Sequence, residues 1–403
     1  MKKLAPIFLI FFLQGLIHNI GHPITPAFLR ALNIPNFMFG LYFSMMSLGL
    51  MFGGPFWGAI GDQGKKKVSI FLGLLLYSVG QFGFGYAGNA YWMVFFRLLS
   101  GFGVIALHVL LIARLIEATE KAKQTQALGI ITALSLLGAG LGYWLGGIVT
   151  TDTGLFNRLL MGQMKAIFLI QAVFNIGLAV LVLIIIDEKG IVKRSLIKTP
   201  LIGRFKEIKE EDPLLFLFFI ALFFISIGNV NIIKYLEVYF IDLGYSAQDL
   251  GNFSLVSNLV ALITSLLVVP IISKFQNQRV LMATLYLISS LIVVIVFRSP
   301  YFLIMMYTLY LVFVMLRTVF TPLEQSYIAK TSKKNTYGVL MGVRQSFVSF
   351  GMVIGPLIGG LIYDLYPIWI FYFSVIMFMM GVMVLLMYHH LTKRAKVLST
   401  INA

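Results

Sequence analysis

The sequence predicts an all-α integral membrane protein, with twelve transmembrane helices arranged as two pseudo-symmetric six-helix bundles. Three observations lead there. Of the 403 residues, 59% are hydrophobic and only 11% charged, where a soluble domain carries roughly a quarter charged residues. Apolar runs near the ~20 residues needed to cross a bilayer recur from end to end. A glycine series also repeats: Gly138-A-G-L-Gly142-Y-W-L-Gly146-Gly147 returns as Gly351-M-V-I-Gly355-P-L-I-Gly359-Gly360 about 213 positions later. The stretch Leu32–Gly40 parallels Leu243–Gly251 at nearly the same offset. Duplicated membrane halves of this kind are a mark of secondary transporters.

In chain order, the apolar runs predict spans over about 4–31, 36–60, 68–87, 91–115, 129–150 and 164–186. A second six follow over about 213–240, 250–272, 280–297, 301–328, 338–363 and 367–388. The first span follows Lys2 and Lys3 but is interrupted by Gln14, His18, Asn19 and His22 and lacks a small-residue cleavage site, so it is expected to stay in the mature chain. Pro23 and Pro26 are expected to bend its far end. Residues 1–186 form the first expected bundle, 187–212 a mixed-charge cytoplasmic linker, and 213–403 the second bundle with a short tail.

The turns set the expected orientation. Lys2 and Lys3, Lys65 to Lys67, Arg114 with Lys121 and Lys123, and the linker after Asp187 fall on one side. Lys274 and Arg279, then Lys330, Lys333 and Lys334, then Lys393, Arg394 and Lys396 complete it. Only Arg30, Arg158, Lys165 and Arg298 are assigned to the other side. The positive-inside rule then puts both termini in the cytoplasm. The net charge of +16 belongs to these turns and not to one basic face, which argues against nucleic-acid binding. With no cysteine, disulfides, thiolate metal sites and cysteine nucleophiles are excluded.

Three motifs carry a family resemblance. Gly58-A-I-G-D-Q-G-K-K-Lys67 resembles the signature loop between helices 2 and 3 of the major facilitator superfamily, with Gln63 where a base is usual. Arg97-L-L-S-Gly101-F-Gly103 resembles its helix-4 signature, R-x-x-x-G-x-G. The glycine series on helix 5 resembles the G-x-x-x-G-P-x-x-G-G signature of the family's twelve-helix drug:proton antiporters. Tyr143 stands where that signature has proline, whereas the second copy has Pro356. The resemblance covers essentially the whole chain. It implies a gating role for Asp62, Gly64 and Lys65 and a proton-coupling role for Arg97. Physically, glycines every four residues make a groove for close helix contact, which explains Gly138, Gly142, Gly146, Gly147, Gly351, Gly355, Gly359 and Gly360 without any statement about transport direction.

Polar residues within spans are functional candidates by default. His18 and His22, at i and i+4, suit a hydrogen-bonded cavity or a titrating pair; no further ligand on that helix supports a metal, and none is expected. Asn19 is a cavity hydrogen-bonding group. Arg97, mid-span, either couples protons or is satisfied by Gln14 or Asn19. On helix 7, Asn229, Asn231, Lys234 and Glu237 are candidates; Lys234 and Glu237 either neutralise each other at i,i+3 or leave Glu237 as a proton carrier. Arg317 either holds an anionic substrate or pairs with an acid. Glu324 and Arg344 either form a gate-closing ion pair or a structural one.

The expected function is a secondary active transporter: proton-coupled efflux of small amphipathic compounds, tetracycline-like antibiotics among the candidates, by alternating access. The alternative is an importer or flippase of an anionic metabolite or lipid. No H-E-x-x-H, phosphate loop or cysteine supports an enzyme or an ATP-driven pump. Expected partners are the lipid bilayer, a small-molecule substrate and protons, with the proton gradient as energy source, no cofactor and no nucleic acid. A bacterial plasma-membrane location is expected, and a monomer, as is common in the family.

Overall fold

The structure is a computed structural model that describes residues 4–149, 164–186, 213–272, 275, 277–332 and 337–401. Lys2, Lys3, Arg158, Lys274, Lys333, Lys334 and the 187–212 linker lie outside the described residues, as do the side chains of Asp62, Lys121 and Lys396.

The described residues are mainly helical, and no strand occurs among them. In order they form α1 (Ala5–Asn19), α2 (Thr25–Ala31), α3 (Asn36–Asp62), α4 (Lys66–Tyr86), α5 (Ala90–Ala118), α6 (Lys121–Val149) and α7 (Ala166–Ile185). There follow α8 (Pro213–Asp242), α9 (Ala247–Ile263), α10 (Val269–Ile272), α11 (Gln278–Arg298), α12 (Phe302–Tyr307), α13 (Leu309–Thr331), α14 (Tyr337–Leu365) and α15 (Trp369–Ile401). Each of the twelve expected spans coincides with one of these helices or with a broken pair. Eleven segments among the described residues are long and apolar enough to cross a membrane, and Ala5–Asn19 is a shorter apolar helix.

The breaks have local causes. The first span stops at Asn19, turns through Ile20 to Ile24, and restarts as α2 with Pro26 in its first turn. Pro23 in that turn removes an N–H that a continuous helix would need. In the eighth span a π-helical turn, Thr264–Val268, precedes Pro270, whose ring crowds the carbonyl one turn back. The tenth span breaks at Thr308, whose φ of −121° and ψ of −89° are not helical; continuous helices over 4–31 and 301–328 are thereby corrected.

Two compact units emerge, Met1–Leu196 with Leu236–Leu262, and Ile197–Tyr235 with Ile263–Ala403. In the first, Ile10, Leu74, Ala106, Leu107 and Ala179 build a dry core where α1, α4, α5 and α7 meet. Glycines bring the backbones together. A Cβ on Gly15 would lie 2.6 Å from the Ser135 carbonyl oxygen. Gly138, Gly142 and Gly146 in turn face the carbonyls of Phe12, Leu16 and Ile20, so α6 lies directly on α1. A Cβ on Gly147 would lie 2.8 Å from the Ala247 carbonyl oxygen. Gly101 and Gly103 let α5 meet the backbones of α3 at Met46 and α4 at Gly73.

The second unit uses the second glycine copy in the same way. Gly351 faces Phe223 and Ser226, Gly355 faces Ile227 and Val230, and Gly359 faces Asn231 and Tyr235, so α14 lies on α8. Hydrogen bonds from Ser226 Oγ to the Val348 carbonyl and from Tyr235 Oη to the Pro356 carbonyl, both 2.8 Å, lock this seam.

Candidate functional site

The break in the first span places its two histidines. His18 lies in the last turn of α1, and Gln171 of α7 caps that end by donating to the carbonyls of Ile17 (2.9 Å) and His18 (2.7 Å). His22 sits in the turn beyond. Their rings remain neighbours, with centroids 5.6 Å apart, but they take different partners. His18 Nδ1 lies 2.8 Å from the Tyr77 hydroxyl. His22 Nδ1 lies 3.4 Å from Glu237 Oε2, and its ring stacks on Tyr143 at 5.4 Å.

Glu237 is buried, at 3% exposure. Its second oxygen accepts a 2.7 Å hydrogen bond from Tyr143 of α6. One carboxylate therefore holds an imidazole and a phenol together, in a region where an isolated charge is costly. Near the same helix end, Arg30 binds Asp242 through both carboxylate oxygens, at 2.6 and 2.8 Å; this pair is exposed and worth little by itself. Glu237 is accounted for by His22 and Tyr143, beyond the i,i+3 pairing with Lys234 that its spacing suggested. Lys234 is half-buried on the preceding turn.

Arg97 is also buried, at 6% exposure. Its guanidinium lies 3.6 Å from the centre of the Phe84 ring, a cation–π seat in place of the expected amide from α1. Asn19 instead donates to the Gly15 carbonyl of its own helix at 2.7 Å, and neither amide atom of Gln14 has a partner among the described residues. A small cavity lined by His18, His22, Thr25, Gln81, Arg97 and Gln171 brings the two histidines and Arg97 to one space. Among the described residues no group of three or more His, Asp or Glu side chains is placed to hold a metal.

The loop after α3 turns on Gly64, whose φ of +87° suits a residue without Cβ. Lys65 is exposed at the start of α4. The neighbouring Lys66 is the buried member of the run, held by both oxygens of Glu117 on α5 at 2.8 and 2.9 Å. In the second unit, Glu324 and Arg344 form a buried ion pair. Arg317 is half-buried, and Glu324 is not its partner: among the described residues Arg317 has no ion pair, Glu324 being taken by Arg344. Asn229 donates to the Tyr286 hydroxyl at 2.6 Å. Asn231 is buried against Gly359, and among the described residues neither of its side-chain polar atoms has a hydrogen-bond partner.

Tyr143, Tyr77, Gln171 and Lys66 with Glu117 were not singled out by their spacing. For Tyr143 a signal existed: it follows the glycine that seats α6 on α1, so its side chain emerges beside the helix-1 histidines.

The helical fold agrees with what the chain is similar to. The Major Facilitator Superfamily model matches residues 7–317 and 219–401. Multidrug resistance protein 2 of Bacillus subtilis is 24% identical over 370 residues, covering 90% of this chain and 88% of the relative. Multidrug resistance protein MdtG of Escherichia fergusonii is 25% identical over 369 residues, covering 87% and 85%. Among solved structures, the nucleoside transporter NupG aligns with a TM-score of 0.78 at 13% identity over 96% of this chain and 99% of that one. A bacterial homologue of the human lysosomal transporter Spinster aligns at 0.77 and 13% over 96% of each chain. The two structural likenesses speak for the fold.

Proposed function

Because the chain belongs to the major facilitator superfamily, a family of membrane transporters and not of enzymes, we propose that it is a proton-coupled efflux carrier for small amphipathic compounds. It works by alternating access of two six-helix halves, residues 1–186 and 213–403, joined by the 187–212 linker. The observation that carries the reading is the buried carboxylate of Glu237, shared by His22 and Tyr143. When charged, it accepts hydrogen bonds from both and offsets Arg97. When it takes a proton, the acceptor charge vanishes and the last turns of α8 lose their hold on α1 and α6. Proton uptake is thereby linked to a change in helix contacts.

The relatives named as multidrug resistance proteins support export. The loop of Asp62, Gly64 and Lys65, and the pair Glu324–Arg344, serve as gates in this reading. The protein acts as a monomer in a bacterial plasma membrane, with both termini in the cytoplasm, without cofactor or nucleic acid, and draws energy from the proton gradient.

The test is movement of a dye and antibiotic panel, tetracyclines included, in proteoliposomes with an imposed proton gradient. Uncoupler-sensitive movement that disappears in Glu237→Gln is expected. Movement that persists without a gradient, or in that variant, overturns the coupling. A second reading, import or flipping of an anionic metabolite or lipid, is favoured by Arg317 alone; anion uptake lost in Arg317→Ala, with no dye movement, selects it.

A further inference from the structure

Arg97 is a buried charge with no acid bound to it. It is 6% exposed, and among the described residues it has neither an ion pair nor a hydrogen bond; its partner is the Phe84 ring. A guanidinium carries five N–H donors, and an aromatic ring offers them no lone pair. The nitrogens are not sealed in protein. Buried polar atoms that are both inaccessible and unpartnered include those of Gln14 and Asn231, but none of Arg97. Arg97 lines the small cavity that it shares with His18 and His22, so its donors open onto that space.

We infer that this cavity is a site for one small monovalent anion of the size of chloride, with the Arg97 guanidinium as its ligand. The site goes beyond the transporter reading and does not depend on it.

Charge decides the sign of the guest. The residues that line the cavity include an arginine and two histidines and no carboxylate, which excludes a cation. Glu237 does not line it, and its two oxygens are engaged by His22 and Tyr143. A water could accept one or two of the Arg97 N–H groups but would leave the charge itself uncompensated, and a buried charge without a counter-charge is costly. An anion supplies both acceptor and charge.

Size and lining decide the rest. The cavity is about 10 Å³, room for roughly one water-sized body, so multi-atom organic anions and phosphate do not fit. The other donors are spent: the Thr25 hydroxyl on the Gly21 carbonyl at 2.7 Å, and the Gln171 amide on the carbonyls of Ile17 and His18. Met46 and Phe168 complete the wall. A polarisable thioether and the positive edge of a ring suit a weakly hydrated halide.

The experiment uses the purified full chain in nanodiscs of uncharged lipid, at fixed pH, with gluconate holding the ionic strength constant. Chloride binding is read from the broadening of the chloride NMR line. The wild type is expected to broaden it saturably and bromide to reverse the effect. Chloride is also expected to raise the unfolding temperature of the wild type. Arg97→Gln is expected to weaken binding at least about tenfold, whereas Arg30→Gln, which removes an exposed cation already paired with Asp242, is expected to leave it within about twofold. No saturable binding by the wild type, unchanged binding by Arg97→Gln, or equal loss in both variants overturns the site. Anomalous scattering from wild-type crystals grown in bromide tests it without any variant. A bromide peak beside Arg97 sustains the site; bromide only elsewhere, or water alone in the cavity, overturns it.

Discussion

Tyr143 donates a 2.7 Å hydrogen bond to Glu237, a residue 94 positions further along the chain. The tyrosine occupies the place where the antiporter signature carries proline, and it sits one residue after the glycine that presses α6 onto Leu16 of α1. A proline there has no side-chain donor; the tyrosine brings one to the buried acid.

Tyr143→Phe keeps the ring stacked on His22 and removes only the hydroxyl. A hydrogen bond to a charged group is worth roughly 1.5–3 kcal/mol. The variant is expected to fold, to bind dye as the parent does, and to lose about tenfold or more in gradient-driven transport rate. Vesicle kinetics that separate rate from half-saturation check this.

Glu324→Ala leaves the Arg344 guanidinium buried without its acid. Breaking such a pair on one side typically costs about 3–5 kcal/mol, whereas replacing both partners with apolar residues is often neutral or better. The single variant is therefore expected to unfold at markedly lower temperature in detergent, and Glu324→Leu with Arg344→Met to recover most of the loss. A transport defect that persists in the recovered double variant would assign the pair to gating.

Gly138 and Gly129 lie on the same helix and make opposite predictions. A methyl group on Gly138 runs into the backbone of Phe12, whereas nothing stands within 4 Å of one on Gly129. Gly138→Ala is expected to lose about 1–3 kcal/mol through overpacking. Gly129→Ala is expected to be neutral or to gain up to about 1 kcal/mol from helix propensity. Thermal unfolding of the two variants side by side decides it.

Glu120 and Lys123 pair at 2.8 Å outside the spans. The hydrogen bond and charge of Lys123 hold the Glu120 carboxyl below its usual value, and Glu120 holds the Lys123 ammonium above its own. The lowered carboxyl contributes above the ordinary carboxylate range and loses that contribution as pH falls through its lowered value. The raised ammonium contributes below its ordinary value and loses it as pH rises through the raised one. Near neutral pH both contributions are present, but the pair is fully exposed and screened by salt. Glu120→Gln is expected to leave the unfolding temperature unchanged at neutral pH in about 0.15 M salt.

The sequence by itself determined the spans, their number, and the glycine seams. Hydrophobic length and glycine spacing are properties of one helix read along its own axis, and the bilayer enforces them locally. Pro23 and Pro26 announced a bend at the far end of the first span, but not the full break after Asn19. The tertiary structure decided which polar groups meet. It gave Glu237 to His22 and Tyr143, seated Arg97 on Phe84 and not on Gln14 or Asn19, and matched Lys66 with Glu117. Those choices depend on how each helix is rotated and how far it slides against a neighbour that is remote in sequence. In a chain with so few charges, a shift of one helical turn gives each buried ion a different partner.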